Sequence, residues 1–153
     1  VGVAQAKKLA NDNHLVYVLM GDGEQEEGQI WEAAMYAPAK NVDNIVAIVD
    51  YNKKQIDGPT DDVLSLGDLR AKYESFGWKV WECNGNDMQE LVDTFNKIRE
   101  NAHKGQSQIL LAHTEMGMGV DFMMGTHKWH GVAPNDEQAA NALSQLKETL
   151  GDY

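Results

Sequence analysis

The chain has 153 residues and a mass of 17.0 kDa, the length of one domain able to bury a core without disulfide or metal staples. Hydrophobic residues make up 42% and charged residues 24%, which excludes a disordered chain, and no apolar run reaches the roughly 18–20 residues that span a bilayer. Thirteen basic against 24 acidic residues give a net charge of −11, which disfavours nucleic acid and membrane as partners; the single cysteine, Cys83, excludes an internal disulfide and suits a reducing cytoplasm.

Val1 opens the chain without a Met and runs straight into a helical pattern, so the sequence reads as the continuation of something longer. Val1, Val3, Ala4, Ala6 and Leu9 predict a helix ending near residues 11–13. Residues 14–20, HLVYVLM, form an apolar run typical of a strand buried on both faces. Gly21-Asp22-Gly23 breaks it, and an acidic stretch leads into a helix with Ile30, Ala33, Ala34 and Ala37 at helical spacing. Residues 44–50 predict a second buried strand, and the polar segment after it carries Gly58-Pro59 as a turn signal. Residues 66–76 read as a helix closed by Gly77, and 78–82 as a short strand. Asp87 and Glu90 resemble a capping box ahead of Met88, Leu91, Val92, Phe95 and Ile98 on one helical face. Residues 108–113 predict another strand. A long loop, 115–134, follows, and Asn135 caps a last helix with Ala139, Leu143, Leu146 and Leu150 on its inner side.

Alternating buried strands and helices predict an α/β fold: a mostly parallel sheet with helices on both faces, as a single domain over 1–153. In such a sheet ligands sit at the carboxyl ends of the strands. The loops at 21–28, 51–59, 84–87 and 115–134 should therefore share one rim, and a loop as long as the last is usually functional or disordered. Asp22, between two glycines at the first strand end, and Asn52, at the next, are both hard oxygen donors. Two such donors suit Mg²⁺ where phosphate oxygens and water complete the octahedron; the same residues also read simply as turns.

The stretch from Gly21 to Gly58 resembles the thiamine-diphosphate signature, which begins with GDG and closes on an Asn. The EG-x-x-WEA pattern (Glu27, Gly28, Trp31, Glu32, Ala33), Asp50-x-Asn52 and Gln55-x-Asp57-Gly58 look like transketolase. AHTEMGMGV at 112–120 and KWHGVAPND at 128–136 resemble the end of the cofactor domain in two-gene bacterial transketolases, specifically the amino-terminal subunit. The resemblance covers essentially the whole chain. It implies a thiamine-diphosphate-binding (PP-type) domain, truncated at the amino terminus, in which Asp22, Asn52 and the Lys54 carbonyl bind Mg²⁺ (or Ca²⁺ or Mn²⁺). Gly21 and Gly23 belong to the cofactor turn, with Gly23 letting the backbone approach the diphosphate. Glu27 matches a glutamate in the acidic network at the dimer interface; as a bare residue it also reads as a helix-start carboxylate. His130 matches a histidine that reaches the diphosphate and the donor sugar, Ile56 is expected near the thiazolium, and Asp57 is expected to be structural.

The implied reaction transfers a two-carbon ketol unit between sugar phosphates, as in the pentose phosphate pathway, with Glu27 and His130 among the catalytic residues. The glutamate that protonates the aminopyrimidine belongs to the pyrimidine-binding subunit, and the family's earlier segment, with further histidines and a G-x-L-G-x-G turn, is not in this sequence. Val1 to Ala4 looks like the helix just after that turn. The chain alone is therefore expected to be inactive and to form a homo-oligomer, with Trp31, Met35 and the Met-rich loop at 116–124 as apolar interface. Met116 and Met118 stand where relatives often carry Lys. Two alternatives remain at this level: another thiamine-diphosphate enzyme, such as 1-deoxyxylulose-5-phosphate synthase or a 2-oxo acid dehydrogenase E1 component, and a non-catalytic binding or assembly remnant. His127-x-x-His130 lacks further zinc ligands at sensible spacing. His113 reads as structural, Trp31, Trp78 and Trp81 as core or interface, Cys83 as a packed thiol, and the Lys53 and Lys54 side chains as solvated.

Overall fold

The computed structural model describes residues 1–147. Helix α1 (Gly2–Leu9) ends before Asn11, whose φ of 55° breaks the helix. Strand β1 (Val16–Gly21) leads through a 3₁₀ turn, Gly23–Glu26, into α2 (Gly28–Ala39). Strand β2 (Ile45–Tyr51) follows. The polar segment after it folds into a two-stranded hairpin, β3 (Lys54–Gln55) and β4 (Gly58–Pro59), so the turn falls at Ile56 and Asp57 rather than at the predicted Gly58-Pro59. Two short helices, α3 (Thr60–Leu64) and α4 (Leu69–Ser75), precede β5 (Lys79–Asn84). Helix α4 starts later than the pattern predicts because Gly67, at φ 55°, turns the chain and the Asp68 side chain then accepts the Ala71 N–H. Helix α5 (Met88–Glu100), strand β6 (Gln108–His113) and α6 (Asp136–Gln145) complete the chain as described.

The predicted parallel α/β architecture is what the chain adopts. The four-stranded sheet has the order β1-β2-β6-β5, every pairing parallel. Gly21 lies opposite Asp50, Asp50 opposite Ala112, and both Tyr51 and Asn84 opposite His113. The four expected loops therefore leave the sheet along one rim.

Side chains alternate across the sheet, as the period of two requires. Ile45, Ala47, Val49, Ile109 and Leu111 face Ala4, Ala34, Ala37, Leu69, Tyr73 and Trp78, contributed from α1, α2, α4 and the start of β5. Val46, Leu110 and Ala112 face the other way, against Ile98, Leu91 and Phe95 of α5. Trp78 donates its indole N–H to the Ala34 carbonyl at 2.7 Å, so its buried polar atom is satisfied.

Three expectations fail in part. Strand β1 is an edge strand and is not buried on both faces: Tyr17 is 45% and Leu19 72% exposed, because α5 covers the far side of the sheet and only Phe95 reaches Tyr17. In α6 the buried residue is Ala142, while Leu143 and Leu146 are exposed. Leu150 of the predicted stripe lies outside the described residues. On α5, Met88 and Val92 are likewise exposed, and of the predicted apolar stripe Leu91, Phe95 and Ile98 turn inward, together with Thr94.

Candidate functional site

The Gly21-Asp22-Gly23 turn leaves β1 with its carboxylate pointing back under the loop. One Asp22 oxygen accepts the Gly23 N–H at 2.8 Å, capping the 3₁₀ turn, and the other accepts the Lys53 N–H. Asp22 is 1% exposed. Burial pushes its carboxyl above the usual carboxylate range and the Asp50 charge adds to this, while the Lys53 and Gly23 N–H groups oppose it. A buried carboxylate held in this way favours a nearby cation. A Cβ at Gly23 would lie 2.9 Å from Gln55 Oε1 and 3.2 Å from Gln55 Cβ, so a side chain there would displace Gln55. Beneath the turn, Gln25 is fully buried, receives the Tyr73 hydroxyl at 2.6 Å and donates to the Gly21 carbonyl at 3.3 Å.

Lys53 adopts a left-handed backbone, φ 60°, which aims its N–H at Asp22 and its carbonyl at the Thr60 N–H. Beside it Asn52 Oδ1 accepts the Lys54 N–H at 2.8 Å. The hairpin then carries Ile56, 68% exposed, over the rim. Gly21, Asp22, Gly23, Asn52, Lys54, Ile56 and His130 line one cavity of about 450 Å³, together with Glu24, Asp50, Gln55 and Asp57. Seven of the eight residues singled out from sequence thus meet in one place. Glu27 does not line the cavity: it is exposed at the N-cap of α2 and makes no side-chain capping bond.

The loop bearing His130 is a series of turns. The Trp129 indole donates to the Phe122 carbonyl at 2.9 Å and stacks edge-on against its ring, and the His130 N–H donates to the His127 carbonyl at 2.9 Å. Lys54 corrects the sequence reading: its side chain is 14% exposed and its ammonium lies 2.9 Å from Glu115 Oε1, because the loop after β6 folds back over the hairpin. The same Glu115 oxygen accepts the Gly125 N–H at 2.8 Å, and the Glu115 N–H donates to Asn86 Oδ1 at 2.6 Å. The Gly125 N–H and then the Lys54 ammonium hold the Glu115 carboxyl below the usual range.

Nothing in the sequence pattern marked Glu115 or Gln25, since their partners are far along the chain; the only signal was an acidic residue at a strand end in a loop otherwise rich in Met and Gly. Across the Asn52–Lys54 segment a second cavity of about 440 Å³ is lined by Tyr51, Lys53, His113, Thr126 and His127 among others. His113 is fixed by Glu82 at 2.8 Å, in line with a structural role. Cys83 is buried and burial pushes its thiol up, as a packed thiol should be. Trp31 is half-buried and stacks on Tyr73, so of the proposed apolar interface only Met35, Met118 and Met124 are exposed.

The donor set fits a hard divalent cation. Asp22, Asn52 and a main-chain carbonyl at Lys54 are all oxygen donors, and each oxygen has lone-pair capacity beyond the bonds it now accepts. Among the described residues no three His, Cys, Asp or Glu side chains converge on a point.

Residues 4–151 match the family model described as "Transketolase, thiamine diphosphate binding domain". One of the two-subunit relatives, from Phocaeicola vulgatus and named for apulose-4-phosphate transketolase, is 43% identical over 150 residues, covering 98% of this chain and 53% of that protein. A 6-deoxy-6-sulfo-D-fructose transketolase subunit of a Clostridium species is 34% identical over 148 residues, covering 97% of this chain and 53% of that protein. The chain thus spans about half the length of these relatives. Among solved structures, the transketolase of Campylobacter jejuni superposes with a TM-score of 0.82 at 26% identity, over 93% of this chain and 22% of that one. A Pichia stipitis transketolase in complex with sedoheptulose-7-phosphate gives 0.81 at 25%, over 94% and 22%.

Proposed function

The chain belongs to the transketolase family through its thiamine diphosphate binding domain, and on that premise we propose that it forms the diphosphate- and metal-binding wall of an enzyme that moves a two-carbon ketol unit between sugar phosphates. The domain of this family holds thiamine diphosphate with a divalent metal. The observation that carries the reading is that Asp22, Asn52, Lys54, Ile56 and His130, from three different loops, line one cavity. The chemistry supplied by thiamine diphosphate, when bound, is a carbon nucleophile for cleaving and remaking a bond beside a carbonyl.

Within that cavity the chain's own residues bind and orient. The Asp22 carboxylate, Asn52 Oδ1 and the Lys54 carbonyl would hold Mg²⁺ (Ca²⁺ or Mn²⁺ also suit the oxygens), whose charge would favour the diphosphate. Gly21 and Gly23 let the main chain come close to that diphosphate. Ile56 presents an apolar surface to the ring system. His130, exposed at the cavity mouth, donates a hydrogen bond to a diphosphate or sugar oxygen and handles a proton on a sugar hydroxyl. Glu27, away from the cavity, belongs to the acidic network where two cofactor domains meet, so its part in the reaction is exerted across a homo-oligomeric interface. The chain acts as a single domain that supplies one wall of the site, the other wall being a pyrimidine-binding subunit, in line with relatives named as subunits. The substrates are sugar phosphates and the setting is the cytoplasm.

Isothermal calorimetry tests the metal assignment. Thiamine diphosphate is expected to bind the chain weakly and only with Mg²⁺. The Asp22→Ala variant should lose this binding, by tenfold or more on the scale (about 10–100-fold) seen when a metal's supporting residues are removed. Equal binding by the variant, or binding without Mg²⁺, refutes the assignment.

A further inference from the structure

We infer that Glu115 is a positioning residue that joins the metal loop to the histidine loop and so sets the spacing of the two walls of the cofactor cavity. The inference rests on the functional reading above. One carboxylate oxygen takes both the Lys54 ammonium, at 2.9 Å, and the Gly125 N–H, at 2.8 Å. Lys54 follows Asn52 in the segment assigned to the metal, and Gly125 lies in the turn that leads to His130. Glu115 is itself held from a third loop, its N–H donating to Asn86 Oδ1 at 2.6 Å. Three loops at the strand ends therefore converge on one residue.

The geometry is more than a surface ion pair. An exposed lysine–carboxylate contact fixes little, because both side chains are free to move. Here the Lys54 side chain is 14% exposed, so its stem is packed and only its end is free to choose a partner. Gly125 sits at φ 73°, the left-handed region a side chain resists, and this turn presents its N–H to the acid. Charge-assisted bonds from two loops to one oxygen hold both against independent movement. Residues that hold a metal's donors in place tune its affinity without touching it.

The test uses the 153-residue chain, with Mg²⁺ titrated in the presence of saturating thiamine diphosphate. Glu115→Gln still accepts the Gly125 N–H but loses the charge facing Lys54. Lys54→Met loses the ammonium but keeps the main-chain carbonyl. Each is expected to weaken Mg²⁺ binding about tenfold, the lower end of the range for such supporting contacts. The double variant should be no worse than either single one, since both remove the same contact. Lys54→Arg should recover most of the affinity. The urea midpoint of the ligand-free chain should be unchanged in the Gln variant, which a purely structural role would not allow. Wild-type affinity in the single variants, or losses that multiply in the double one, overturns the inference while leaving the functional reading intact. A wild-type chain that takes up no thiamine diphosphate with Mg²⁺ overturns both.

Discussion

Gln25 ties the turn that carries Asp22 to the hydrophobic core. Its amide is fully buried between the Gly21 carbonyl and the Tyr73 hydroxyl, and Tyr73, 1% exposed, is itself wedged against Trp31 and Trp78. Burial also pushes the Tyr73 phenol up, so it stays a neutral donor at any physiological pH. Tyr73→Phe keeps the ring and removes only the hydroxyl, leaving Gln25 Oε1 buried without its donor. The loss should be about 1–3 kcal/mol of unfolding free energy, the usual cost of an orphaned buried polar atom, measured by urea denaturation. An unchanged midpoint would mean that the bond contributes nothing net. Residues such as Asp22, Asn52, Ile56 and His130 were legible because the motif fixes them relative to strand ends. Gln25 and Glu115 were not, because a side-chain pair between distant loops leaves no periodic trace. Gln25 lies within the acidic stretch ahead of α2, where nothing in the pattern separates a buried amide from its exposed neighbours.

At the scale of elements, strands whose two faces are both covered were read well, and elements at the margin were not. Strand β6 spans the predicted residues, since it is central and nearly continuous in burial. Strand β1 has the same apolar composition but sits at the edge, and hydropathy alone does not distinguish an inner strand from an edge. The far edge, β5, is tied in by charge. Glu82 accepts from His113 of β6 at 2.8 Å and from Arg70 of α4 at 2.8 Å, and Arg70 also reaches Glu74 at 2.9 Å. His113 first, and then Arg70, hold the Glu82 carboxyl below its ordinary value. A carboxyl lowered on folding contributes its stability fully above the unfolded value, near 4.3. It loses that contribution as pH falls through the lower folded value. Glu82→Gln should therefore be less stable than wild type at pH 6, by under about 1 kcal/mol at this exposure, and the gap should close as the pH falls below the carboxylate range. Urea midpoints measured from pH 6 down to pH 3 check this, and a gap that stays constant with pH would remove the charge network as its cause.

At the scale of the whole molecule the candidate site is one-sided. Its residues all come from the carboxyl ends of a single sheet, Ile56 is 68% exposed, and His130 is exposed at the mouth. A carbon nucleophile beside a carbonyl needs water excluded and oxygen atoms held from more than one direction, and one open rim provides neither. Tyr17 and Leu19 of β1, Leu143 of α6 and Leu146 just after it are apolar and exposed. The chain spans about half the length of the two curated relatives described above, both named as subunits. These observations lead to an expected outcome for the reaction itself. The purified chain, supplied with thiamine diphosphate and Mg²⁺, should show no ketol transfer from a ketose phosphate to an aldose phosphate. Adding a pyrimidine-binding subunit from the same source should produce turnover that rises and saturates with its concentration, because the competent site then forms by mass action between the two chains. His130→Ala in that mixture should lower kcat by roughly 10²–10⁴-fold, the range ascribed to a positioned proton-transfer group. Clear turnover by the chain alone would show that the wall described here closes by itself, and the two-chain reading would fall.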